Sequence, residues 1–300
     1  MTEGTKIAYY PGCTLKTKAK NLEDAALAAL GELGIEIHEL NRWNCCGAVF
    51  SLADDDLIHH LAPVRNLIRA AEQGCDTVAT LCSQCYNVLA RANLLVREDE
   101  TKRKTLNDFM TEEPDYNGEV EVVHLLTLLR DRVGWEALRA KVTKPLDGLK
   151  VATFYGCTLL RPDDVAINHA PTPQIFEDFL RALGAEPVPF TAANECCGAY
   201  QSLAHDQAAT DRAAKVFRSV QESGADAMVL SCPLCEFNLG TRQPEVLAML
   251  EGAEAIPSFY FTQLLAVALG LQSEVCHLEL NGPAALNLLK EKEFIAPTPA

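Results

Sequence analysis

The sequence predicts an α/β protein of two homologous lobes, each a small parallel sheet with flanking helices, related by a pseudo-two-fold axis. Two observations support this prediction. Three blocks of sequence recur in the same order in the two halves of the chain, and β-rich runs alternate with amphipathic helical segments within each half. Strand–helix–strand order implies right-handed crossovers and therefore parallel strands. We expect the first lobe at residues 5–145, the second at 148–278, and a loosely docked C-terminal tail at 279–300.

The repeat consists of cysteine-containing blocks. A Gly-Cys-Thr-Leu block, a Cys-Cys-Gly-Ala block and a Cys-x2-Cys block each occur twice, at offsets of 144, 151 and 150 residues. Three blocks in the same order at nearly constant offset indicate an internal duplication. The ten recurring cysteines are Cys13, Cys45, Cys46, Cys82 and Cys85 in the first lobe, and Cys157, Cys196, Cys197, Cys232 and Cys235 in the second.

The first lobe opens with a β-rich run, residues 6–10, and a helix is predicted over residues 21–33. Asn21 is the expected N-cap of this helix, and Gly34 is expected to end it. Residues 35–39 form the second predicted strand.

A second helical region is predicted over residues 54–73, with a restart at Pro63 and an end at Gly74. Residues 77–81 form the third predicted strand. The stretch 97–119 is charged, weakly periodic and without a counterpart in the second lobe. It is therefore expected to be a surface insertion, a variable loop that can include a helix.

Each cysteine block follows the carboxyl end of a predicted strand or its loop. Ligand sites of open parallel sheets collect at that edge, so five thiols from three distant stretches are expected to meet at one place in each lobe. Gly12 and Gly156 precede the first cysteine of each lobe. They either let the backbone approach a bound group closely or form ordinary turns.

Five thiols per lobe favour an iron–sulfur cluster over other cysteine sites. A Cys-x2-Cys pair alone fits zinc, a redox dithiol or a pair of cluster ligands. Adjacent cysteines such as Cys45 and Cys46 cannot easily share one tetrahedral ion but can reach two irons of a cluster, and four ligands already saturate zinc. An ordinary cubic cluster also takes four cysteines. The fifth thiol is therefore either a spare ligand or a sign of an unusual cluster geometry.

Composition narrows the class of protein. The 300 residues carry a formal charge of −15, which disfavours binding to nucleic acid. The chain opens without a signal-peptide pattern, and its longest apolar stretch, residues 259–271, is too short to span a membrane. Twelve cysteines in such a chain indicate metal ligands or redox groups in a reducing compartment, so a cytoplasmic location is expected.

Other reactive side chains are less strongly indicated. Cys75 stands opposite Ala225 in the repeat and Cys276 lies outside both repeats, so both are expected to be buried structural thiols. His124 and His205 share no repeated spacing and are expected to pack in the core or lie at the surface.

Cations also follow the first cysteine of each lobe. Lys16 and Arg161 can attract an anionic thiol substrate in a protein this acidic. The alternative is that they are ordinary solvated loop charges.

The spacing Cys-x31-Cys-Cys-x35-Cys-x2-Cys, followed by Cys-x38-Cys-Cys-x34-Cys-x2-Cys, resembles the duplicated cysteine-rich CCG domain. With Gly47 and Gly198 after the paired cysteines, and with segments 156–162 and 232–239, the chain resembles the B-type subunit of heterodisulfide reductase over about residues 5–275. The resemblance implies that each five-cysteine set binds a non-cubane [4Fe-4S] cluster and that a disulfide substrate is clamped between the two clusters. The best-known substrate of the family is the mixed disulfide of coenzyme M and coenzyme B.

The resemblance also implies partner subunits. The chain has no ferredoxin-type cysteine run, dinucleotide fingerprint or flavin signature. Electrons are therefore expected from a ferredoxin-like iron–sulfur subunit of the C type and a flavin subunit of the A type.

The predicted function is reduction of a small, mixed disulfide to two thiols, or the reverse reaction, inside a larger flavin-containing complex. Electron bifurcation is one option for that complex. The alternative is an electron-transfer iron–sulfur subunit of a lactate- or glycolate-type oxidase or of a sulfur-oxidising complex, in which related domains occur.

Overall fold

The computed structural model describes residues 6–48, 56–168, 174–250 and 252–296. Residues 54 and 55, at the start of the second predicted helical region, and the last four residues of the predicted tail lie outside this part.

Within the described residues the strands form two parallel sheets of four strands each. The strands of the first sheet are β1 (Ile7–Tyr9), β2 (Ile37–Glu39), β3 (Thr77–Thr80) and β4 (Glu121–His124). Those of the second are β5 (Lys150–Thr153), β6 (Glu186–Val188), β7 (Ala227–Leu230) and β8 (Ser258–Tyr260). The first sheet has the spatial order β2-β1-β3-β4, and the second repeats it as β6-β5-β7-β8. This identical order confirms the predicted α/β fold of two homologous lobes.

Helices flank both sheets. Those of the first half are α1 (Lys20–Glu32), α2 (Leu61–Glu72), α3 (Ser83–Glu98), α4 (Glu100–Phe109), α5 (Leu125–Leu128) and α6 (Trp135–Lys141). Those of the second half are α7 (Ile175–Ala182), α8 (Asp206–Ser223), α9 (Pro233–Glu236), α10 (Gln243–Leu247), α11 (Phe261–Ala268) and α12 (Pro283–Glu291).

The three strands predicted in the first lobe are confirmed to within two residues at each end. Sequence reasoning missed the fourth strand of each sheet. Both β4 and β8 are short and continue into a helix without a loop. They contain too few residues for the alternation of side chains typical of a strand to be recognised in the sequence. In the second lobe, residues 259–271 read as one apolar stretch although they contain a strand end and a helix.

The predicted N-cap of the first helix is wrong. Ala19 occupies the capping position, and Asn21 lies inside the helix. The side-chain amide of Asn21 donates to Oδ1 of Asn281 at 3.1 Å. A tertiary partner more than 200 residues away therefore binds the side chain that local reasoning placed at the helix end.

The stretch predicted as a surface insertion is mostly helical. α3 continues to Glu98, and α4 follows at once because the Asp99 carboxylate caps it by accepting from the Lys102 amide at 2.9 Å. The predicted restart at Pro63 occurs two residues earlier, where a 3₁₀ turn over Leu57–His60 runs into α2.

The two lobes share a core at their junction. α1 of the first lobe packs along α11 of the second, and the Thr262 hydroxyl donates to the Leu22 carbonyl at 2.9 Å. The buried ring of Phe261 contacts the rings of Phe179 and His124, with centroids 5.9 and 5.6 Å away. This shared core holds the two sheets in a defined relation.

The tail is packed against the second lobe as far as residue 296, so the prediction of loose docking is wrong there. α12 buries Ala285 and Leu289. Nζ of Lys292 lies 2.9 Å from the Asp226 carboxylate and 2.6 Å from the Gly148 carbonyl.

Candidate functional site

The cysteine blocks lie where the sequence places them, at the carboxyl ends of the strands. β1 ends at Tyr9, four residues before Cys13. β3 ends at Thr80, and Cys82 follows in extended conformation at the N-cap of α3, which places Cys85 in the first turn. Cys232 repeats this position before α9. The strand-to-helix turn thus presents both thiols of each Cys-x2-Cys pair at the sheet edge.

The first set brings its five thiols together from three stretches. Sγ of Cys45 lies 3.7 Å from Sγ of Cys13, and Sγ of Cys46 lies 3.7 Å from Sγ of Cys85. Cys46 and Cys85 also interact through hydrogen bonds with Cys45 and Cys82, respectively.

The second set repeats the same order of contacts. Cys196 is hydrogen-bonded to Cys157 and to Cys197, and Cys235 to Cys197 and Cys232. The amide of Gly198 donates to Sγ of Cys196 at 3.3 Å, and Asn238 Nδ2 donates to the Cys197 carbonyl at 3.1 Å.

The two sets meet at equivalent residues. An interaction between the thiols of Cys82 and Cys232 raises the pKa of Cys82 and lowers that of Cys232. Beside them the amide of Ser83 donates to the carbonyl of Ser231 at 3.2 Å, and the two serine hydroxyls are also hydrogen-bonded. Cys82 and Cys232 are equivalent in the repeat, as expected for residues beside a two-fold axis, whereas Ser83 and Ser231 are not equivalent to each other. The ten thiols form one series across the junction. We call this junction, formed by Cys82, Ser83, Ser231 and Cys232, the seam.

Burial differs along this series. The thiols at the seam are buried, with Cys82 and Cys232 only 5% and 4% exposed. At the outer ends Cys13 and Cys45 are exposed, while Cys157 and Cys196 are half-buried. Solvent and small molecules therefore reach the series from its outer ends, more freely in the first lobe.

Hydrogen bonding lets each set carry negative charge. Bonds from Cys45 and Cys85 lower the pKa of Cys46 to about 4, and bonds from Cys157 and Cys197 lower the pKa of Cys196 to about 2. The same bonds raise the pKa of the donating partners, as at Cys45 and Cys157. When one sulfur loses its proton, the neighbouring thiols donate hydrogen bonds to the thiolate that forms. The negative charge is therefore a property of the whole set.

The donor chemistry of the residues fits iron–sulfur clusters. The twelve cysteines, which all lie within the described residues, are free thiols. In the described part of the chain, no three Cys, His, Asp or Glu side chains are arranged to hold one metal ion. Thiolates are the usual ligands of iron–sulfur clusters. Five thiols in each set are more than the four ligands that a zinc ion takes, so they fit a polynuclear cluster better than a single zinc ion.

The glycine before Cys13 supports the close-approach interpretation, whereas a side chain at the glycine before Cys157 would make only an ordinary contact with a thiol. Gly12 and Gly156 have φ of 72° and 64°. A Cβ at Gly12 would lie 2.9 Å from Sγ of Cys85, and one at Gly156 would lie 3.5 Å from Sγ of Cys235. In the first lobe the backbone at Gly12 lies so close to the Cys85 thiol that the side chain of any other residue would clash with it.

The two cations considered as substrate contacts differ in their surroundings. Nζ of Lys16 lies 2.6 Å from the carboxylate of Glu23 and 2.7 Å from that of Glu39, so its charge is balanced within the protein. Arg161 is exposed, and its carbonyl accepts a hydrogen bond of 2.7 Å from Nδ2 of Asn87.

Among the other reactive residues, His124 lies next to the thiol series, since Leu81, whose carbonyl it contacts, precedes Cys82. Cys75 and Cys276 are buried, and the carbonyl of Cys276 accepts from Gln263. His124 is fully buried and hydrogen-bonded to the Leu81 carbonyl, whereas His205 is exposed.

Sequence reasoning missed three polar side chains beside the thiols. The Tyr10 hydroxyl donates to the Asn44 carbonyl at 2.9 Å next to the first set. Gln84, between Cys82 and Cys85, donates to the hydroxyl of Tyr200 at 2.7 Å. All three positions differ between the two halves of the repeat, and that asymmetry is the signal that could have identified them.

Comparison with known proteins agrees with the duplicated site. The family model of the CCG cysteine-rich domain matches residues 7–90 and 151–240. A solved structure described as a hypothetical protein from Helicobacter pylori shares the fold with a TM-score of 0.74 at 13% identity. The match covers 93% of this chain, which spans about half (52%) of that longer chain.

Curated relatives match along almost the whole length. The 8-methylmenaquinol:fumarate reductase membrane anchor subunit of Wolinella succinogenes is 34% identical over 278 residues, 92% of this chain and 96% of that protein. The B-type subunit of the ferredoxin/F(420)H(2)-dependent CoB-CoM heterodisulfide reductase of Methanosarcina acetivorans is 30% identical over 97% of this chain and 96% of its own length. A protein of Archaeoglobus profundus that is named as like the heterodisulfide reductase B-type subunit is 27% identical over 90% of this chain and 92% of its own.

No helix in the described part of the chain is long and apolar enough to cross a membrane. The duplicated cysteine-rich domain covers more than half of the chain, and the matched relatives extend over nearly all of it. The chain therefore belongs to the family of heterodisulfide reductase B-type subunits with a duplicated CCG domain, a family of iron–sulfur oxidoreductase subunits that transfer electrons.

Proposed function

We propose that this chain is the iron–sulfur subunit in which a small disulfide is reduced to two thiols, or two thiols are oxidised in the reverse reaction. Each five-cysteine set would hold one non-cubane four-iron cluster. The observation that carries this proposal is the close approach of the two sets at the seam, where the amide of Ser83, next to Cys82, donates to the carbonyl of Ser231, next to Cys232, at 3.2 Å.

The reaction needs two electrons and two protons. The S–S bond of R–S–S–R′ breaks, and each sulfur gains one electron and one proton to become RSH and R′SH. Clusters bound by these thiolates would supply electrons one at a time, so two adjacent sets suit a two-electron cleavage. The reductant would be a ferredoxin-like iron–sulfur subunit, which would in turn receive its electrons from a flavin subunit.

The residues of this chain hold and shield the two sets. The Ser83–Ser231 bonds hold the two sets together at the seam, and burial there keeps water from the innermost thiols. Among the two cations predicted to contact substrate, Arg161 is the better placed, because Lys16 is balanced by two carboxylates. We propose that the exposed Arg161 attracts an anionic thiol or disulfide to the second set.

A second candidate function is transfer of electrons without cleavage of a disulfide. The 34% identity to a subunit of an 8-methylmenaquinol:fumarate reductase favours it. In that case the chain would connect a quinol-oxidising partner to a fumarate-reducing one, in place of the lactate- or glycolate-oxidising and sulfur-oxidising partners considered from the sequence.

The test begins with iron content. Anaerobically purified protein should hold about eight irons per chain if both sets carry four-iron clusters. Cys45→Ser and Cys196→Ser should each lose about half, whereas the buried bystander variants Cys75→Ser and Cys276→Ser should retain the full amount. Stoichiometric zinc with negligible iron would contradict the cluster assignment.

The reaction is then followed with a reduced viologen dye as electron donor and an unsymmetrical aliphatic disulfide as substrate. The parent should release two thiols per disulfide, and a product thiol should perturb the electron paramagnetic resonance signals of both oxidised clusters. Cys196→Ser should abolish the reaction although the first set keeps its iron. If Cys196→Ser reduces the disulfide at the parental rate, or the parent reduces none while passing electrons to fumarate with its partners, the electron-transfer function replaces the first proposal.

A further inference from the structure

The first turns of α3 contact all three cysteine-bearing segments of the second lobe. Hydrogen bonds make these contacts: from the Ser83 amide to the Ser231 carbonyl at 3.2 Å, from Gln84 to the Tyr200 hydroxyl at 2.7 Å, and from Asn87 to the Thr158 carbonyl at 2.9 Å. The same helix carries Cys85 of the first set. One helix of the first lobe therefore borders every segment that supplies thiols to the second set.

Asn87 makes two bonds to one of these segments. Its side chain is fully buried, and Nδ2 donates both of its hydrogens, to the Thr158 carbonyl at 2.9 Å and to the Arg161 carbonyl at 2.7 Å. Thr158 directly follows Cys157, and the Leu160 amide closes a turn on the Cys157 carbonyl at 3.2 Å. Asn87 thus holds both ends of the short segment that joins Cys157 of the second set to the cation Arg161.

The duplication does not supply the reciprocal contact. The residue equivalent to Asn87 in the second lobe is Phe237, whose side chain has no amide and is 45% exposed. The segment after Cys13 in the first lobe is held by one of its own residues, since the Thr17 hydroxyl donates to the Cys13 carbonyl at 3.0 Å. Thr17 is the counterpart of Arg161 in the repeat. The first lobe therefore supports the outer end of the second set in a way that the repeat alone does not explain.

We infer that Asn87 is a positioning residue, through which the first lobe holds Cys157 and Arg161 of the second lobe in place for an anionic disulfide. The inference rests on the proposed function, in which Arg161 attracts that substrate. Replacement of Asn87 by an apolar residue leaves two carbonyls without their donor, so the segment is less firmly held. A cation on a less ordered segment loses more conformational entropy when it contacts an anion. Binding of the anionic substrate is then weakened, whereas the electron transfer that follows binding is not.

The first test is hydrogen–deuterium exchange of the purified full-length chain, followed by mass spectrometry. Asn87→Leu removes both donors and keeps a side chain of similar size. Exchange in the peptide that covers residues 157–167 should become about tenfold faster, and exchange in the peptide that covers residues 13–19 should not change. Asn87→Ser retains one donor and should show a smaller effect in the same direction. This second variant decides the question if Asn87→Leu does not fold.

The second test compares a disulfide that carries carboxylate groups with a neutral one, with a reduced viologen dye as electron donor. Asn87→Leu should raise KM for the carboxylate disulfide about tenfold with kcat unchanged, and should leave KM for the neutral disulfide as it is. Arg161→Ala should have the same effect. The double variant should be no worse than either single variant, because Asn87 acts through Arg161.

Asn93→Leu is the matched control. Asn93 is a second buried asparagine of α3, but its side-chain amide donates to the Val120 carbonyl at 2.7 Å within the first lobe. This variant should lose stability without a change in exchange at residues 157–167 or in either KM.

The inference is overturned if Asn87→Leu and Asn87→Ser leave exchange at residues 157–167 unchanged. It is also overturned if Asn87→Leu raises KM equally for the two disulfides, or if its effect adds to that of Arg161→Ala. Iron-loaded parent that reduces neither disulfide contradicts the proposed function, and the exchange measurement then still decides whether Asn87 positions the segment.

Discussion

Because Gly12 has no side chain, its backbone can lie close to the thiol of Cys85. Its φ of 72° lies in the left-handed region, and a Cβ there would lie 2.9 Å from Sγ of Cys85. From the sequence alone this glycine was equally compatible with an ordinary turn. The proximity of Cys85, which comes from a stretch more than 70 residues away, decides for close approach.

Gly12→Ala should therefore destabilise the protein and lose iron from the first set. The left-handed backbone alone costs an alanine about 1–2 kcal/mol, and the clash with Cys85 displaces a thiol of the first set. Iron content and urea denaturation of the variant measure the two effects separately.

Gly74→Ala is the control, since Gly74 has a similar φ of 67° but no atom lies within 4 Å of the position that its Cβ would take. It should show the same backbone cost with full iron content. Equal iron in the two variants would mean that the Cys85 contact has no influence on the site.

At the scale of the secondary-structure elements, the junction between α1 and α11 joins the lobes. Leu22 on the first helix is fully buried, and its carbonyl accepts from Thr262 on the second. The apolar face of α1 was evident in the sequence, but its partner was not, because α11 lies 240 residues later in the chain. Amphipathic periodicity shows that a helix is covered on one face and does not identify what covers it.

Leu22→Ala should lower the free energy of unfolding by about 2–5 kcal/mol, because it leaves a cavity between two packed helices. Leu27→Ala on the same helix, where the side chain is 38% exposed, should change it by about 0.5 kcal/mol or less. Chemical denaturation followed by circular dichroism distinguishes them. Similar losses in the two variants would show that α1 does not depend on α11.

At the scale of the whole molecule, the lobes meet around a buried histidine. His124 packs between Tyr86 of the first lobe and Phe261 of the second, with ring centroids 6.0 and 5.6 Å away. Burial lowers the pKa of His124 from 6.5 to about 4. The folded protein therefore keeps this ring neutral where the unfolded chain protonates it.

The stability of the molecule should consequently fall as the pH decreases from about 6.5 to about 4. In that window the unfolded state binds one more proton, so the contribution of His124 is lost at up to about 1.4 kcal/mol per pH unit. Below about 4 both states are protonated and the loss ends. Urea denaturation at several pH values measures this slope.

His124→Gln should remove that part of the slope, and His205→Gln, at an exposed position, should retain it. If the parent and His124→Gln show the same dependence on pH between 4 and 6.5, the histidine is not the source.

The sequence by itself determined the duplication, the two parallel sheets and the ten-cysteine pattern that defines the family. Each of these follows from a pattern within the sequence. The alternation of strands and helices indicates the parallel sheets, and blocks that recur after about 150 residues indicate the duplication. The placement of every cysteine block at a strand end followed from that order, because the carboxyl ends of parallel strands share one edge.

Only the tertiary structure decided how the two halves face each other. Three interactions join residues more than 100 positions apart: that of Cys82 with Cys232, the Gln84–Tyr200 hydrogen bond and the Asn21–Asn281 hydrogen bond. No local spacing encodes such a contact, since it depends on the packing of one lobe against the other. The short strands β4 and β8 were also decided by the tertiary structure. They are strands because they pair with β3 and β7, and their own few residues do not specify this conformation.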